Sequence, residues 1–287
     1  MDSMWINAPA KINLGLDVTR RREDGYHEVK MIMQSIRLFD RLTLTKTKTP
    51  GIHLSTNLSF LPVNEDNLVY KSARLLLDEF HITEGLDIVL DKRIPVAAGM
   101  AGGSTDAASC MLAVNRLFGL RLSNKDLMER GVKLGADIPY CIMKGTALSE
   151  GIGEILSRLP KAPDCYVLIA KPGFHVSTRS VYSNLKLDEH TAHPDIDSMI
   201  ACIRENDLYG MCEKMANILE TVTIPEHPEI ESIKAVMKEN GALGSLMSGS
   251  GPTVFGIFDN MKDAKTAKEK CRQLPYRCFV FVTDLYR

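Results

Sequence analysis

A run of small residues at positions 95–108, PVAAGMAGGSTDAA, has the composition of a loop whose backbone can approach a ligand closely. It contains Gly99, Gly102 and Gly103, followed by the hydroxyls of Ser104 and Thr105. An apolar run at 86–90 precedes it and a helical pattern follows it. The unpaired N–H groups and the positive dipole end at the start of that helix favour an anion, most often a phosphate. The alternative is a glycine-rich turn that only joins a strand to a helix.

The common phosphate motifs do not account for this loop. The sequence has no G-x-x-x-x-G-K-[ST] and no G-x-G-x-x-G, and it lacks the H-R-D and D-F-G elements of protein kinases. A Walker-type NTPase, a Rossmann dinucleotide site and a protein kinase are therefore not indicated.

Two charged residues stand where the chain breaks or turns. Lys11 directly follows Ala8-Pro9-Ala10, and Asp137 lies in the turn sequence GADIP at 135–139. A lysine at a strand edge is usually a solvated charge, and an aspartate in a turn usually accepts hydrogen bonds from nearby backbone N–H groups. For Asp137 the functional alternative is a carboxylate held in position by the constrained turn.

An aromatic residue and an imidazole follow the polar turn at 20–25. Tyr26 and His27 are either ordinary loop residues or a pair that stacks on a flat ligand ring and hydrogen-bonds to it. A second small-residue loop, Gly249-Ser250-Gly251, lies between two apolar runs near the C-terminus.

The composition excludes several classes of protein. The chain has 287 residues, 45% hydrophobic and 25% charged, with a net charge of −1, so bulk charge gives no indication of a nucleic-acid partner. Its seven cysteines are odd in number and include no C-x-x-C, which favours reduced thiols over disulfides or zinc. No run of 18 apolar residues and no signal peptide is evident, so we expect a cytoplasmic protein without a membrane partner.

The chain reads as a mixture of strands and helices with a linker at 161–164. A strand from Trp5 to Leu16 is interrupted at 8–10, a helix follows a cap at 64–67, and Ser123 with Asp126 forms a capping box. The later pattern favours an α+β or sandwich-like arrangement. The other predicted strands are 29–36, 40–47, 52–55, 86–90, 141–149, 166–170, 253–258 and 278–283. One further helix is predicted directly after the loop at 95–108. The others are predicted at 196–220, with a break near 206–207, at 228–239 and at 262–273.

The segments PAKINL at 9–14, PVAAGMAGGSTDAA at 95–108 and MSGSGPTVF at 247–255 resemble the three motifs of the GHMP small-molecule kinases. Their order and spacing match over essentially the whole chain. Residues 11–14, 24–27 and 135–139 resemble most the members whose acceptor is a cytidine diphosphate-linked alcohol. The resemblance implies an α+β, two-domain GHMP kinase fold. Residues 1–160 would form an ATP-binding domain like domain 2 of ribosomal protein S5, and residues 161–287 a ferredoxin-like domain that closes the substrate cleft.

The resemblance also implies a reaction and its residues. ATP would phosphorylate the 2-hydroxyl of the alcohol, in the non-mevalonate route to isoprenoid precursors. Asp137 would accept the proton of the attacking hydroxyl, while Lys11 would keep that carboxylate ionised and stabilise charge on the γ-phosphate. Ser104 would bond a phosphate oxygen or touch Mg²⁺. Asn67 and Lys92 match positions used near the adenine, although Lys92 could instead be a solvated charge. The residues implied to wrap the triphosphate are Pro95, Ala97, Gly99, Met100, Ala101, Gly102, Gly103, Ser104 and Thr105.

At the other end of the substrate, the resemblance implies that Tyr26 stacks on the cytosine and His27 hydrogen-bonds its edge. Tyr182 is expected to close the slot, with a buried helix residue as its alternative role. Asn13 would bond the alcohol or the diphosphate, and Gly249 and Ser250 would line the cleft.

This sequence departs from the family pattern at four positions. Ala97, Ala98 and Ala101 stand where some members have glycine, and Met100 stands where leucine or isoleucine is usual. Alanine still allows close approach if φ is negative, but a positive φ at position 101 would matter.

Rival functions remain. A kinase of homoserine or mevalonate type, or a non-catalytic ligand-binding member, are the alternatives. Tyr26, His27 and Asp137 argue against the first, and the presence of both Lys11 and Asp137 argues against the second. With no coiled coil indicated, we expect a monomer or a weak homodimer.

Overall fold

Two long strands begin the chain, β1 (Ser3–Arg21) and β2 (His27–Thr47), and they pair with each other. The computed structural model describes residues 2–286. The break predicted at 8–10 is wrong, because β1 continues through Pro9. Within the described residues β1 pairs with no strand but β2, and a proline, which has no N–H to donate, is tolerated in such an edge strand.

The two strands predicted at 29–36 and 40–47 are one strand, which changes its partner along its length. Residues 29–34 of β2 pair antiparallel with β5 (Thr146–Gly151), whereas residues 41–47 pair antiparallel with β4 (Gly85–Asp91). The interruption of the pattern near residue 38 coincides with this change of partner.

Contacts between residues divide the chain into two compact units. The first contains residues 1–10, 38–96 and 101–143, and the second contains residues 11–37, 97–100 and 144–287. A domain boundary after residue 160 stays a prediction.

The first unit consists of strands covered by helices. Strand β3 (Ile52–Thr56) pairs parallel with β4. The helices are α1 (Leu68–Glu79), α2 (Gly102–Leu117), α3 (Asn124–Gly131) and α4 (Ile138–Met143). Helix α2 packs against α1 and α4. The apolar side chains of these elements form the core and are stabilised by burial. Among them, Leu42, Leu44, Leu76, Ile88 and Met111 are at most 1% exposed.

Local sequence signals fix the N-terminal ends of two helices in this unit. Asn67 caps α1 by accepting a hydrogen bond from the Val69 N–H, and the predicted capping box of Ser123 and Asp126 begins α3. The strand predicted at 141–149 is partly wrong, because residues 138–143 are helical and β5 starts only at Thr146. Pro139 is compatible with this helix, since the first turn needs no N–H donor there.

The second unit contains a four-stranded antiparallel sheet in the order β10-β7-β9-β8, formed by β7 (Tyr166–Pro172), β8 (Gly244–Met247), β9 (Val254–Phe258) and β10 (Cys278–Asp284). Helices α9 (Glu229–Glu239) and α10 (Met261–Arg272) pack on it. One sheet covered by helices excludes the sandwich-like alternative for this part of the chain. The unit also has β6 (Ile155–Arg158), which pairs with β5, and the helices α5 (Thr178–Asn184), α6 (Ile196–Arg204), α7 (Leu208–Glu213) and α8 (Glu220–Glu226).

The break predicted near 206–207 separates α6 from α7, as expected. Helix α8 was not predicted as a separate helix, because Pro225 lies inside it and disfavours a helix by propensity. Within residues 2–286, every helix is too short or too polar to span a membrane.

Candidate active site

The small-residue loop leads directly into α2, whose N-terminus has no side-chain cap. Ala101 is the N-cap residue and forms no side-chain hydrogen bond to the helix, which begins at Gly102. The Thr105 N–H donates to the Ala101 carbonyl at 2.8 Å. The N–H groups of residues 102–104 therefore have no capping side chain, which leaves donors at the positive end of the helix for an anion.

Two alanines in this loop adopt a conformation that favours glycine. Ala97 has φ +51° and Ala101 has φ +54°. The negative φ that would let alanine replace glycine without strain is therefore not found at Ala97 or Ala101. A left-handed alanine places Cβ close to the following carbonyl and costs about 1–2 kcal/mol, so the surrounding structure stabilises this loop conformation against local strain.

The two hydroxyls after the glycines have different surroundings. Ser104 is half-buried, whereas Thr105 is fully buried, and Thr105 Oγ1 has no hydrogen-bond partner among residues 2–286. Ser104 is thus the more accessible hydroxyl at the helix start. A phosphate contact by either residue stays a prediction.

Lys92 is a buried charge, 7% exposed, so its alternative interpretation as a solvated lysine is wrong. Its Nζ donates to Asp106 Oδ2 at 2.6 Å and also to Asp40 Oδ2. Asn67 likewise has protein partners, since its Oδ1 accepts from Val69 N and its Nδ2 donates to Pro62 O. Contacts of Asn67 and Lys92 with a nucleotide stay predictions.

Asp137 lies immediately before α4, at the end of a short turn. The Ile138 N–H donates to the Gly135 carbonyl at 3.1 Å, which closes this turn without the Asp137 carboxylate. In the described part of the chain, no local backbone N–H donates to that carboxylate. The interpretation of Asp137 as a turn-satisfying residue is therefore not supported, and its half-buried carboxylate keeps its acceptor positions.

In the second unit, Lys11 and Asn13 form a buried pair on β1. Lys11 Nζ donates to Asn13 Oδ1 at 2.7 Å, and the Lys11 backbone N–H donates to the Met100 carbonyl at 3.2 Å. Asn13 is 0% exposed and its Nδ2 lies 3.2 Å from Met31 Sδ. Lys11 and Asn13, two residues apart on the same face of β1, therefore place an ammonium and an amide in direct hydrogen-bond contact.

The two small-residue loops contact each other within the second unit. Ser248 Oγ donates to the Gly99 carbonyl at 2.9 Å, and a Cβ at Gly99 would lie 2.2 Å from the Ser248 carbonyl oxygen. Only glycine fits at position 99, which also has φ +68°. The loop at 249–251 therefore packs on the backbone of residues 97–100.

Sequence reasoning missed the residue that holds this second loop. Asn217 is buried and its Nδ2 donates to the carbonyls of Met247 and Gly249, both at 2.8 Å. Ser250 Oγ lies 2.8 Å from Thr178 Oγ1. No short motif surrounds Asn217 or Thr178, so only the fold reveals these contacts.

A cavity of about 410 Å³ lies beside the predicted aromatic slot, within the second unit. The rings of His27 and Tyr182 have centroids 5.2 Å apart at an interplanar angle of 47°, and both residues line the cavity. Tyr182 is half-buried rather than a core residue. Tyr26 is 60% exposed and does not line the cavity.

Charged residues that the sequence did not single out complete this cavity. Arg20 and Arg21 line it, as does His193, whose Nδ1 is 2.8 Å from the buried Asp17 Oδ1. Burial, and then the positive charge of Arg21, lower the pKa of His27 from its usual value of 6.5. A cavity with a neutral imidazole, a tyrosine ring and two guanidinium groups suits a planar ring joined to an anion.

Comparison with known proteins decides the family. The model for the GHMP kinases N terminal domain matches residues 67–145, and the model for the GHMP kinases C terminal domain matches residues 199–277. A protein of Lachnoclostridium phytofermentans named 4-diphosphocytidyl-2-C-methyl-D-erythritol kinase is 54% identical over 286 residues, covering 100% of this chain and 98% of that one. The chain belongs to the GHMP kinase family. A protein of Acetivibrio thermocellus with the same name is 46% identical and covers 99% of this chain and 100% of its own.

Solved structures of GHMP kinases agree with this membership. The crystal structure of a 4-(cytidine 5'-diphospho)-2C-methyl-D-erythritol kinase superposes with a TM-score of 0.84 at 32% identity, over 99% of this chain and 100% of the other. Homoserine kinase from Cytophaga hutchinsonii gives a TM-score of 0.82 at 20% identity, over 99% and 95% of the two chains, and so shows the shared fold alone. The predicted two-domain GHMP kinase fold is confirmed.

The residues at the start of α2 fit the nucleotide that GHMP kinases use, which is ATP. The uncapped helix start offers N–H donors, and a Cβ at Gly103 would meet only Leu68 within 4 Å, at 3.7 Å, so the backbone is open to a ligand there. A metal ion fits less directly, because residues 2–286 contain no cluster of three His, Cys, Asp or Glu side chains that could hold one.

Proposed function

We propose that this protein is a kinase that transfers the γ-phosphoryl group of ATP to the 2-hydroxyl of 4-diphosphocytidyl-2-C-methyl-D-erythritol. The product would enter the non-mevalonate route to isoprenoid precursors. This function follows from the family membership and from relatives that carry this name over the full length of the chain.

The observation that carries the choice of acceptor is the His27–Tyr182 slot with its neighbouring arginines. A cytosine is a flat ring with hydrogen-bonding edges, and stacking on an aromatic side chain contributes about 1–3 kcal/mol. Arg20 and Arg21 offer guanidinium groups for a diphosphate in the same cavity. Homoserine and mevalonate have neither a ring to stack in the slot nor a diphosphate to bind the arginines. Tyr26, exposed at the turn, is proposed to stack on the cytosine once the substrate is bound.

The proposed chemistry needs a base and a stabilised phosphoryl group. Asp137 accepts the proton of the 2-hydroxyl as its oxygen attacks, and Lys11 stabilises the charge that develops on the transferred phosphoryl group. Asn13 supports Lys11 through their 2.7 Å hydrogen bond and contacts the alcohol or diphosphate. Gly249 and Ser250 line the substrate cleft.

The nucleotide end uses backbone more than side chains. We assign the triphosphate to the N–H groups at the start of α2 and to the loop residues before it, with the Ser104 hydroxyl on a phosphate oxygen. Bound Mg²⁺ would offset the negative charge of the phosphates, and Ser104 is the side chain proposed to hold it.

Substitution of Tyr182 tests the assignment of the slot. Tyr182→Leu removes the ring, and we expect the KM for the cytidyl alcohol to rise by about tenfold or more, while the KM for ATP changes by less than about twofold. Tyr182→Phe keeps the ring and should keep the KM for the alcohol within about threefold of the unsubstituted protein.

An exposed tyrosine outside the cavity provides the control. Tyr209 is 58% exposed, hydrogen-bonds Asp259 and is not among the residues that line the cavity. Tyr209→Leu should leave both KM values unchanged. Equal effects of Tyr182→Leu and Tyr209→Leu on the alcohol would contradict the slot.

For the cell, we propose a cytoplasmic enzyme that acts as a monomer or a weak homodimer on small molecules. All seven cysteines are free thiols, which suits a reducing compartment.

A further inference from the structure

A cluster of three buried charges lies in the first unit, next to the start of α2. Lys92 Nζ contacts Asp106 Oδ2 at 2.6 Å and Asp40 Oδ2. The three side chains of Lys92, Asp40 and Asp106 are 4%, 0% and 3% exposed, so water reaches none of them to a useful extent. Such groups are stable in the folded state only when charges and hydrogen bonds compensate each other.

The backbone around the cluster is held as tightly as the side chains. Asp40 Oδ1 accepts from the N–H groups of Arg93 and Ile94, the second at 2.8 Å. Asn57 accepts from the Lys92 N–H at 2.8 Å and donates to the Lys92 carbonyl at 3.0 Å. Residues 92–94, which lead into the small-residue loop, are therefore fixed on both sides.

The cluster holds two carboxyl groups but one ammonium group. The Asp40 carboxylate accepts hydrogen bonds from the Lys92 ammonium and from backbone N–H groups. In contrast, Asp106 Oδ1 is buried and has no hydrogen-bond partner among residues 2–286. Burial raises the pKa of Asp106 well above its usual range, although Lys92 opposes this. Burial alone would lower the pKa of Lys92, but Asp106 and Asp40 together outweigh it and raise that pKa. Lys92 thus stays positive and offsets the negative charge that the two carboxyl groups carry between them.

The cluster also touches the helix start itself. Asp106 lies just beyond the first turn of α2, and a Cβ at Gly102 would lie 3.3 Å from Lys92 Nζ and 3.3 Å from Ile94 Cγ2. Lys92 Nζ therefore bonds α2 at Asp106 and leaves little room for a side chain at Gly102. Removing its charge would leave a carboxylate uncompensated directly behind the N–H groups that face an anion, where Coulomb repulsion is weakly screened.

We propose that Lys92 is a positioning residue of the nucleotide site, which acts through Asp106 and Gly102 rather than by contact with ATP. It holds the first turn of α2 in place and offsets the buried carboxylates, so that this turn can receive the triphosphate. The inference rests on the proposed binding of ATP at the start of α2.

Charge-compensating variants distinguish this role from direct contact. The probe is AMP-PNP with Mg²⁺, bound to the full chain and measured by calorimetry. Lys92→Met should weaken AMP-PNP binding by about tenfold or more, because the ammonium is lost while both carboxylates remain. The KM for the cytidyl alcohol should change by less than about twofold, since a positioning role at α2 does not involve the cytosine slot. Lys92→Met combined with Asp106→Asn should return AMP-PNP binding to within about threefold of the unsubstituted protein.

Two further variants keep the result unambiguous. Arg93→Met removes a neighbouring but exposed charge, which pairs with Asp91, and should leave AMP-PNP binding unchanged. Asp106→Asn alone should change AMP-PNP binding by less than about threefold, and it decides the question if both Lys92 variants fail to fold.

Three results would overturn the proposal. A folded double variant that binds as weakly as Lys92→Met would mean that Lys92 touches the nucleotide. A folded Lys92→Met variant that binds AMP-PNP normally would mean that charge compensation by Lys92 is irrelevant to binding. A tenfold loss of AMP-PNP affinity in Asp106→Asn alone would mean that this compensation is incorrectly assigned. The binding of AMP-PNP to the unsubstituted protein is measured before any variant is made. If this protein does not bind AMP-PNP, the proposed function itself is contradicted.

Discussion

The Asp137 carboxylate is the single group on which the proposed proton transfer depends. It precedes α4, and no local backbone N–H among residues 2–286 donates a hydrogen bond to it. Asp137→Ala should lower kcat by about 100-fold or more, because general-base catalysis contributes at that scale, while the affinity for AMP-PNP stays nearly intact. Steady-state kinetics and calorimetry measure the two effects.

The control for Asp137→Ala is an aspartate of the first unit whose carboxylate is exposed. Asp87 pairs with His53 at the surface of β4, and Asp87→Ala should keep the activity of the unsubstituted protein. If Asp137→Ala retains activity within tenfold, the assignment of the base is wrong.

His27 gives a prediction about pH. Its pKa is lowered by burial and by Arg21, so the neutral ring dominates at pH 7 and is ready to bond the cytosine edge. The unfolded chain binds a proton more readily than the folded one between the two pKa values. The contribution of His27 to stability is therefore present above pH 6.5 and is lost as the pH falls through the lowered value.

An NMR titration of the free protein tests the cause of that shift. Arg21→Gln removes the positive charge and should raise the pKa of His27 toward 6.5, while the burial contribution remains. A pKa that falls or stays constant in Arg21→Gln would contradict the assigned electrostatic contribution.

At the level of elements, the small-residue loop combines strain with close packing. Ala101 has φ +54°, so Ala101→Gly should stabilise the protein by about 0.5 kcal/mol, because relief of left-handed strain exceeds the added entropy of the unfolded chain. Gly99→Ala should destabilise it by ~2 kcal/mol or more, since the new Cβ would overlap the Ser248 carbonyl. Urea unfolding measures both free energies of unfolding. A clear loss in Ala101→Gly would contradict the strain argument.

Elements with strong local signals were predictable from the sequence. Asn67 and the Ser123–Asp126 box act within one helical turn, and both caps are present where the sequence indicated them. The continuity of β2 was not predictable, because the strand exchanges β5 for β4 along its length and only tertiary pairing reveals that. Likewise, the helix at 138–143 was not predictable, because it is short and because Gly135 and Pro139 are residues typical of turns.

The candidate site was predictable in its residue types and less so in its supports. The loop at 95–108 and the pair His27 and Tyr182 follow from composition and family resemblance. Asn217 was not predictable, because it contacts Gly249 from a distant part of the chain. Lys92 was misjudged as a possible solvated charge, because the two aspartates that bury it come from residues 40 and 106.

Considered as a whole molecule, the chain has two compact units, which contain different residues of the proposed function. The first contains the start of α2, Asp137 and the Lys92 cluster, and the second contains Lys11, the Gly99–Ser248 contact and the aromatic slot. Since the GHMP fold also supports kinases with other names, such as homoserine kinase, the acceptor must be decided by the slot and not by the fold.

The most direct test of the central claim is a choice between acceptors. The purified protein is incubated with ATP, Mg²⁺ and equal concentrations of 4-diphosphocytidyl-2-C-methyl-D-erythritol, homoserine and mevalonate, and the products are identified by ³¹P NMR and mass spectrometry. We predict a single new phosphomonoester on the 2-hydroxyl of the cytidyl alcohol, formed together with ADP. Phosphorylation of homoserine or mevalonate with no turnover of the cytidyl alcohol would contradict the proposed function.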